Sequence, residues 1–191
     1  MNLKKVVVTG IGTLTPIGNN VPRFWDALLR GVSGADVITQ FDPGPFKCHI
    51  AAEVKGFDPN DHFDRKEVRK LDRYTQFGMV AADEAIADSG ILSDTLNKDR
   101  VGVIFATGMG GCKSFQDEVL SYGESKDSPR FSPFFITRSI GDICAGQISI
   151  KYGFRGPNYA TSAACAFSAR VEKGSTDGLQ CLRISRYPYG T

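Results

Sequence analysis

A cysteine set among small residues is the group in this sequence best suited to chemistry. It is Cys165, in the stretch "GPNYATSAACAFSARVEKG", residues 156–174. The residues before it read as an apolar strand, and the cysteine would open the helix that follows. A thiol at a helix N-terminus feels the positive end of the dipole and the free N–H groups, which favour the thiolate. The small residues from Ala160 to Ala164, with Ala166, let a substrate carbonyl approach. Free N–H groups at that point suit a developing oxyanion. An inert buried thiol is the commoner fate of a cysteine, and the residues alone leave both readings open.

Two other patterns suggest oxidoreductase chemistry and are weaker. "VTGIGTLTPIG" places Gly10 and Gly12 after a strand, as a dinucleotide-binding turn would. The third glycine of that fingerprint falls on Thr15, and Pro16 stands where the helix should begin, so a tight strand-to-loop turn is the better reading. Tyr122 and Lys126 have Tyr-x-x-x-Lys spacing, but Gly123, Glu124 and Ser125 lie between them and Asp127, Ser128 and Pro129 follow. That composition reads as a loop, which cannot hold the pair one turn apart. A fourth pattern is electrostatic. Lys66, Arg69, Lys70 and Arg73 fall at i, i+3, i+4 and i+7, on one helix face opposite Val68, Leu71 and Thr75. The face is either a solvated surface or a docking patch for an acidic partner, whose encounter the charge would steer.

The elements that must position these groups alternate between strand and helix. "KKVVVTG" reads as a buried parallel strand ending at Gly10, followed by a Gly/Pro/Asn loop. Residues 21–30 read as a helix with Phe24, Leu28 and Leu29 on its apolar side and Gly31 as its stop. Residues 31–63 are mostly irregular, with a short strand near 50–54. A long helix is expected over 65–89, with Asp64 and Glu67 forming a capping box and Gly90 following its end. Its core stripe is Val68, Leu71, Thr75, Gly78, Met79, Ala82, Ala85 and Ile86. "RVGVIFATG" reads as a second buried strand, 112–133 as a helix and then a polar loop, 134–153 as one helix, and "PNYATSAA" as a third strand. This order predicts an α/β fold with a largely parallel sheet.

Bulk properties bound the rest. The 191 residues suit one domain, and a net charge of +2 gives no global pull toward nucleic acid. No apolar run reaches the roughly 20 residues a membrane helix needs. The start of the chain lacks the features of a cleavable leader. The five cysteines (Cys48, Cys112, Cys144, Cys165 and Cys181) form no CxxC pair, which argues against a zinc site and fits reduced thiols in the cytoplasm. His49 and His62 show no metal-ligand spacing and read as isolated surface residues.

Taken together, "KKVVVTGIGTLTPIG", "FDRKEVRKLDRYTQFGMVAADEAIADSG", "DRVGVIFATGMGG", "SPFFI" and "ISIKYGFRGPNYATSAACA" resemble the β-ketoacyl-acyl-carrier-protein synthases. The resemblance is strongest to the type II elongating enzymes of fatty-acid synthesis. It implies the N-terminal half of a thiolase-like fold, a mixed and mostly parallel sheet with flanking helices, in a homodimeric and cytoplasmic protein. It implies no dissociable cofactor, since acyl groups arrive on the phosphopantetheine of acyl carrier protein. Cys165 matches the acyl-accepting nucleophile. Met109 matches the base of the acyl pocket, and Phe135 matches a residue reaching that pocket across the dimer interface. Lys66, Arg69 and Lys70, with Arg130, match the carrier-protein docking surface. The histidines, lysine and glycine-rich loop that complete condensation belong to the second half of the fold, so His49 and His62 take no such role. Residues 1–166 are therefore expected to be a half synthase unable to condense by itself. Alternatively, the chain is a non-enzymatic partner of carrier protein or of a full-length synthase. From Phe167 the family pattern weakens: Arg170, Glu172 and Lys173 stand where a buried helix needs small residues, and the run Gly174–Gly178 breaks helix. Residues 167–191 are read as an aberrant or divergent tail, as a frameshift would leave. The uncovered apolar surface of a half fold predicts self-association.

Overall fold

The computed structural model describes residues 7–125 and 130–162, and the backbone of a strand at 180–185. Helices α1 (Val21–Leu29), α2 (Arg65–Lys70), α3 (Arg73–Ser89), α4 (Cys112–Glu124), α5 (Phe135–Ser139) and α6 (Ile143–Tyr152) surround two small sheets. An antiparallel pair joins β1 (Asp36–Val37) to β2 (Ile50–Ala51). The main sheet has the order β4-β3-β5 and is parallel throughout, with β3 spanning Val101–Ala106, β4 Asn158–Thr161 and β5 Gln180–Ser185. The α/β architecture expected from the sequence is present.

The middle strand organises the core because both its faces are covered. All six residues of β3 are buried, the pattern of a parallel strand between helical layers. Phe105, Val103, Ile86, Ile148 and Cys144 are almost wholly inaccessible. Helix α3 crosses this core at Gly78, where a Cβ would stand 2.5 Å from Cys144 Sγ and 2.9 Å from the Phe105 ring. The caps follow the sequence. Asp64 and Glu67 form a reciprocal capping box on α2. Gly90 and Gly153, at φ +60° and +70°, end α3 and α6 in the left-handed conformation that glycine adopts without strain.

Several expectations fail, each for a local reason. The run ending at Gly10 forms no strand over its described residues, and Val7 and Val8 are 75% and 71% exposed. Both edges of β3 are occupied, by β4 and by β5. Gly10 and Gly12 lie instead on the backbone of α3, where a Cβ would collide with the carbonyl oxygens of Ala85 and Ala81. Packing accounts for these two glycines, with no nucleotide turn. The long helix expected over 65–89 is two helices: Leu71 is extended (φ −107°, ψ 133°) and Asp72 caps α3. The four cations thus do not share one face, since Arg73 opens a second helix. The helix expected over 134–153 divides into α5 and α6. Tyr122, Gly123 and Glu124 belong to α4 and not to a loop, while Lys126 lies outside the described residues. On α1 only Ala27 is buried, and Leu28 and Leu29 face outward. Within the stretch read as a tail, residues 180–185 pair along the whole of β3.

Candidate functional site

Strands β3 and β4 run parallel and end in register, Ala106 opposite Thr161. In parallel α/β sheets, ligand-binding loops gather at this carboxyl end. After β3 the chain turns through residues 107–111. Thr107 N–H donates to Thr161 O at 3.3 Å, and Gly110 N–H donates to Thr107 Oγ1 at 3.2 Å. Gly110 has φ +77°, and a Cβ on it would stand 2.5 Å from Ser139 O. Gly111 N–H donates to the same carbonyl at 3.1 Å. The turn is therefore held between the end of α5 and the end of β4. Met109 stands at its tip, 78% exposed. Ser162, the first residue after β4, donates from Oγ to Gly108 O at 2.9 Å.

A buried carboxylate fixes the helix that follows this turn. Asp72, 6% exposed, accepts the Tyr74 N–H at 2.9 Å and so caps α3. Its other oxygen accepts the Ser114 hydroxyl at 2.5 Å and the Ser114 N–H at 3.3 Å. One carboxylate thus serves the N-terminal turns of α3 and α4, where helix dipoles favour negative charge. Tyr74, the next residue but one, donates its hydroxyl to Ile140 O, linking α3 to the break between α5 and α6. Burial pushes the Tyr74 phenol far above its ordinary value, so it remains a donor.

Helix α5 carries Phe135 into an aromatic row. Its ring lies 4.8 Å from that of Phe131 and 5.6 Å from that of Phe115, and Phe131 stacks on Tyr122 at 4.6 Å. The outer face of this row is apolar and solvent-facing: Phe115, Leu120, Phe131 and Ile136 are each about half exposed.

The basic helix lies across a cleft from these elements. Lys66, Arg69 and Lys70 are exposed on α2, and among the described residues none of them is in an ion pair. Lys70 Nζ stands 5.9 Å above the Phe134 ring, bringing α2 against α5. The cleft between them is lined by Val68, Leu71, Arg73, Gln76, Lys113, Asp117 and Arg138. Arg73 stacks over Phe77 at 5.1 Å. Burial raises the Glu53 carboxyl, but hydrogen bonds from Thr39 and Gln40 outweigh it, helped by Arg73, and hold it below the usual carboxylate range. Lys113 pairs with Asp117 at 3.2 Å and Arg138 with Glu118 at 3.8 Å.

The residues singled out from sequence thus divide. Met109 and Phe135 are joined through α5 and the turn packed on its end, and Lys70, on α2 with Lys66 and Arg69, stands over Phe134 at the start of α5. Arg130 is exposed, just before the aromatic row. Cys165 lies outside the described residues, three positions beyond Ser162. Sequence reasoning missed Asp72, Ser114 and Ser162. Only Asp72 left a signal, as an N-cap type standing just before a second helical start.

Comparison with known proteins decides the family. Residues 3–172 match the β-ketoacyl synthase N-terminal domain. The chain belongs to that family. It is 40% identical over 186 residues to 3-oxoacyl-[acyl-carrier-protein] synthase 2 of Staphylococcus aureus, covering 92% of this chain and 44% of the relative. The chain therefore spans less than half the length of the curated relatives it matches. Its fold is that of ketosynthases. It superposes on the ishigamide ketosynthase/chain length factor with a TM-score of 0.80 at 23% identity, over 93% of this chain and 45% of that one. A type II polyketide ketosynthase solved in complex with its acyl-carrier protein gives 0.76 at 22% identity, over 94% and 49%. Among the described residues no helix is long and apolar enough to cross a membrane, and no cluster of side chains has the makings of a metal site.

Proposed function

We propose that this chain is the nucleophile-bearing half of a β-ketoacyl-acyl-carrier-protein synthase of fatty-acid synthesis, with Cys165 as the acyl acceptor. In the step it supports, the Cys165 thiolate attacks the carbonyl of an acyl thioester on carrier protein. A new S–C bond forms, the old one breaks, and the carrier thiolate leaves and takes up a proton. Decarboxylative condensation with malonyl-carrier protein calls for the groups that the family resemblance assigns to the second half of the fold. The acyl group arrives already attached to the carrier, so the reaction calls for no further cofactor.

The observation that carries this reading is the convergence of two segments at one end of the sheet. The turn bearing Met109 and the strand leading to Cys165 leave β3 and β4 side by side. Met109 and Phe135 would line the acyl pocket. Lys66, Arg69, Lys70 and Arg130 would receive the acidic carrier, and the exposure of all four supports this. The half-exposed aromatic face of α4 and α5 supports a homodimer, with Phe135 contributing to the partner's pocket. We assign the protein to the cytoplasm, where reduced thiols persist.

The test is binding of acyl carrier protein to the full chain and to a variant carrying K66E, R69E and K70E. Three lost surface attractions predict roughly tenfold weaker binding, with a shallower salt dependence. Equal binding by both chains would refute the docking assignment. Carrier binding that survives Cys165→Ala, with no acyl adduct on the wild-type chain, would favour the non-enzymatic partner instead.

A further inference from the structure

We infer that Ser162 is a positioning residue that ties the chain leaving β4, ahead of the proposed nucleophile, to the turn bearing Met109. The inference rests on the proposed role of Cys165 but goes beyond it. Ser162 Oγ donates to Gly108 O at 2.9 Å, and Gly108 is the residue before Met109. This is a side-chain bond spanning 54 positions in sequence. Among the described residues it is also the last tie on that side of the sheet, since the β3–β4 ladder ends one residue earlier, at Ala106 and Thr161, with the Thr107 amide bonded to Thr161 O.

The tie matters because, among the described residues, the tip of the turn at 108–109 has no other hydrogen bond to the β4 side, where Thr107 holds only its start. Gly110 and Gly111 bind it to the end of α5, and Thr107 Oγ1 braces it from within. Nothing else among the described residues joins residues 108–109 to the chain leaving β4. Cys165 is three positions beyond Ser162 in sequence, so at most about 11 Å of extended backbone can lie between them. A hydroxyl at position 162 therefore couples where the nucleophile begins to where the tip of the turn stands. An alanine there leaves the Gly108 carbonyl to water and uncouples the two. Asp72 and Ser114, by contrast, hold the base of α4 and act on the turn from behind.

The test is alkylation of the full chain at neutral pH, resolved site by site by peptide mass mapping. The probes are iodoacetamide and a chloroacetamide bearing a long alkyl tail, with exposed Cys48 as the internal reference. Ser162→Ala should slow alkylation of Cys165 by the tailed probe by about three- to tenfold, the range of one lost hydrogen bond. Iodoacetamide, which does not reach the turn, should be slowed less, and Cys48 should be unaffected. Ser162→Thr, which keeps the hydroxyl, should restore the rate. An unchanged ratio of the two probes at Cys165 in Ser162→Ala would overturn the inference. If Cys165 of the wild-type chain reacts no faster than Cys48, the nucleophile assignment fails instead. Amide exchange then judges the tie alone: Met109 and Gly110 should exchange faster in Ser162→Ala, and unchanged exchange would overturn it.

Discussion

Replacing Asp72 with alanine removes one carboxylate that two helices share. Its cost can be assembled from the bonds it makes. Loss of the cap on Tyr74 N–H costs about 1 kcal/mol. Loss of the acceptor for Ser114 leaves a buried hydroxyl, only 3% exposed, without its partner and costs about 1–3 kcal/mol more. The space left by the side chain lies against Gly111, whose hypothetical Cβ stands 3.0 Å from Asp72 Cγ, so little is regained by collapse. The sum is about 3 kcal/mol, which for a chain of this size lowers Tm by roughly 6–12 °C. Ser114→Ala removes only the hydroxyl bond, since its backbone N–H can still donate to Asp72, and should cost less. The double variant should show a coupling of about 1–2 kcal/mol, because both single changes break the one hydroxyl–carboxylate bond. Thermal unfolding followed by circular dichroism measures all three. A drop of under 2 °C for Asp72→Ala, or strict additivity of the two changes, would refute this account of how α3 and α4 are joined.

Further expectations follow from other contacts. Gly12→Ala drives a methyl group into the Ala81 carbonyl, backbone against backbone, so the segment must lift from α3. It should lose the Thr13 N–H bond to Glu84 and the Ile11 N–H bond to Asp88, cost about 1–3 kcal/mol, and speed exchange of those two amides. The Asp64 carboxylate is held below its ordinary 3.8, chiefly by the Glu67 N–H, with the Lys66 N–H and the charges of Lys66 and Lys70 adding to it against the opposing effect of burial. A depressed carboxylate stabilises fully above its unfolded value and is lost as pH falls through the folded one. Helix α2 should therefore fray only below about pH 3.8, detectable at the Lys66 and Glu67 amides. Asp64→Asn should flatten that pH dependence while keeping most of the cap, and a profile unchanged by it would contradict the assignment.

Much of the fold was legible in the sequence where the signal is local. The capping box at Asp64, the glycines at 90 and 153 and the buried run of β3 are set by residues within a few positions of one another. The breaks were not legible. Leu71 and Thr75 keep helical spacing across the junction of α2 and α3, so the apolar period runs straight through a point where the backbone does not. What breaks the helix is Asp72, held by Ser114 at a distance of 42 positions, and no local pattern records that partner. The opening valines show the converse. A β-branched apolar run predicts a strand only if an edge is available, and here β5 occupies the edge of β3 opposite β4. The candidates Met109, Phe135 and the α2 cations came from the resemblance, whereas Ser162 became visible only when its partner came into place.

The most direct test of the central claim is acyl transfer to Cys165, followed by mass spectrometry of the intact chain and its peptides. The chain is offered an acyl thioester on acyl carrier protein and, separately, the same acyl group on free pantetheine. The account predicts a single acyl adduct, located on Cys165, formed much faster from the carrier-borne donor. No adduct on Cys165, or modification spread equally over Cys48 and Cys165, would contradict it.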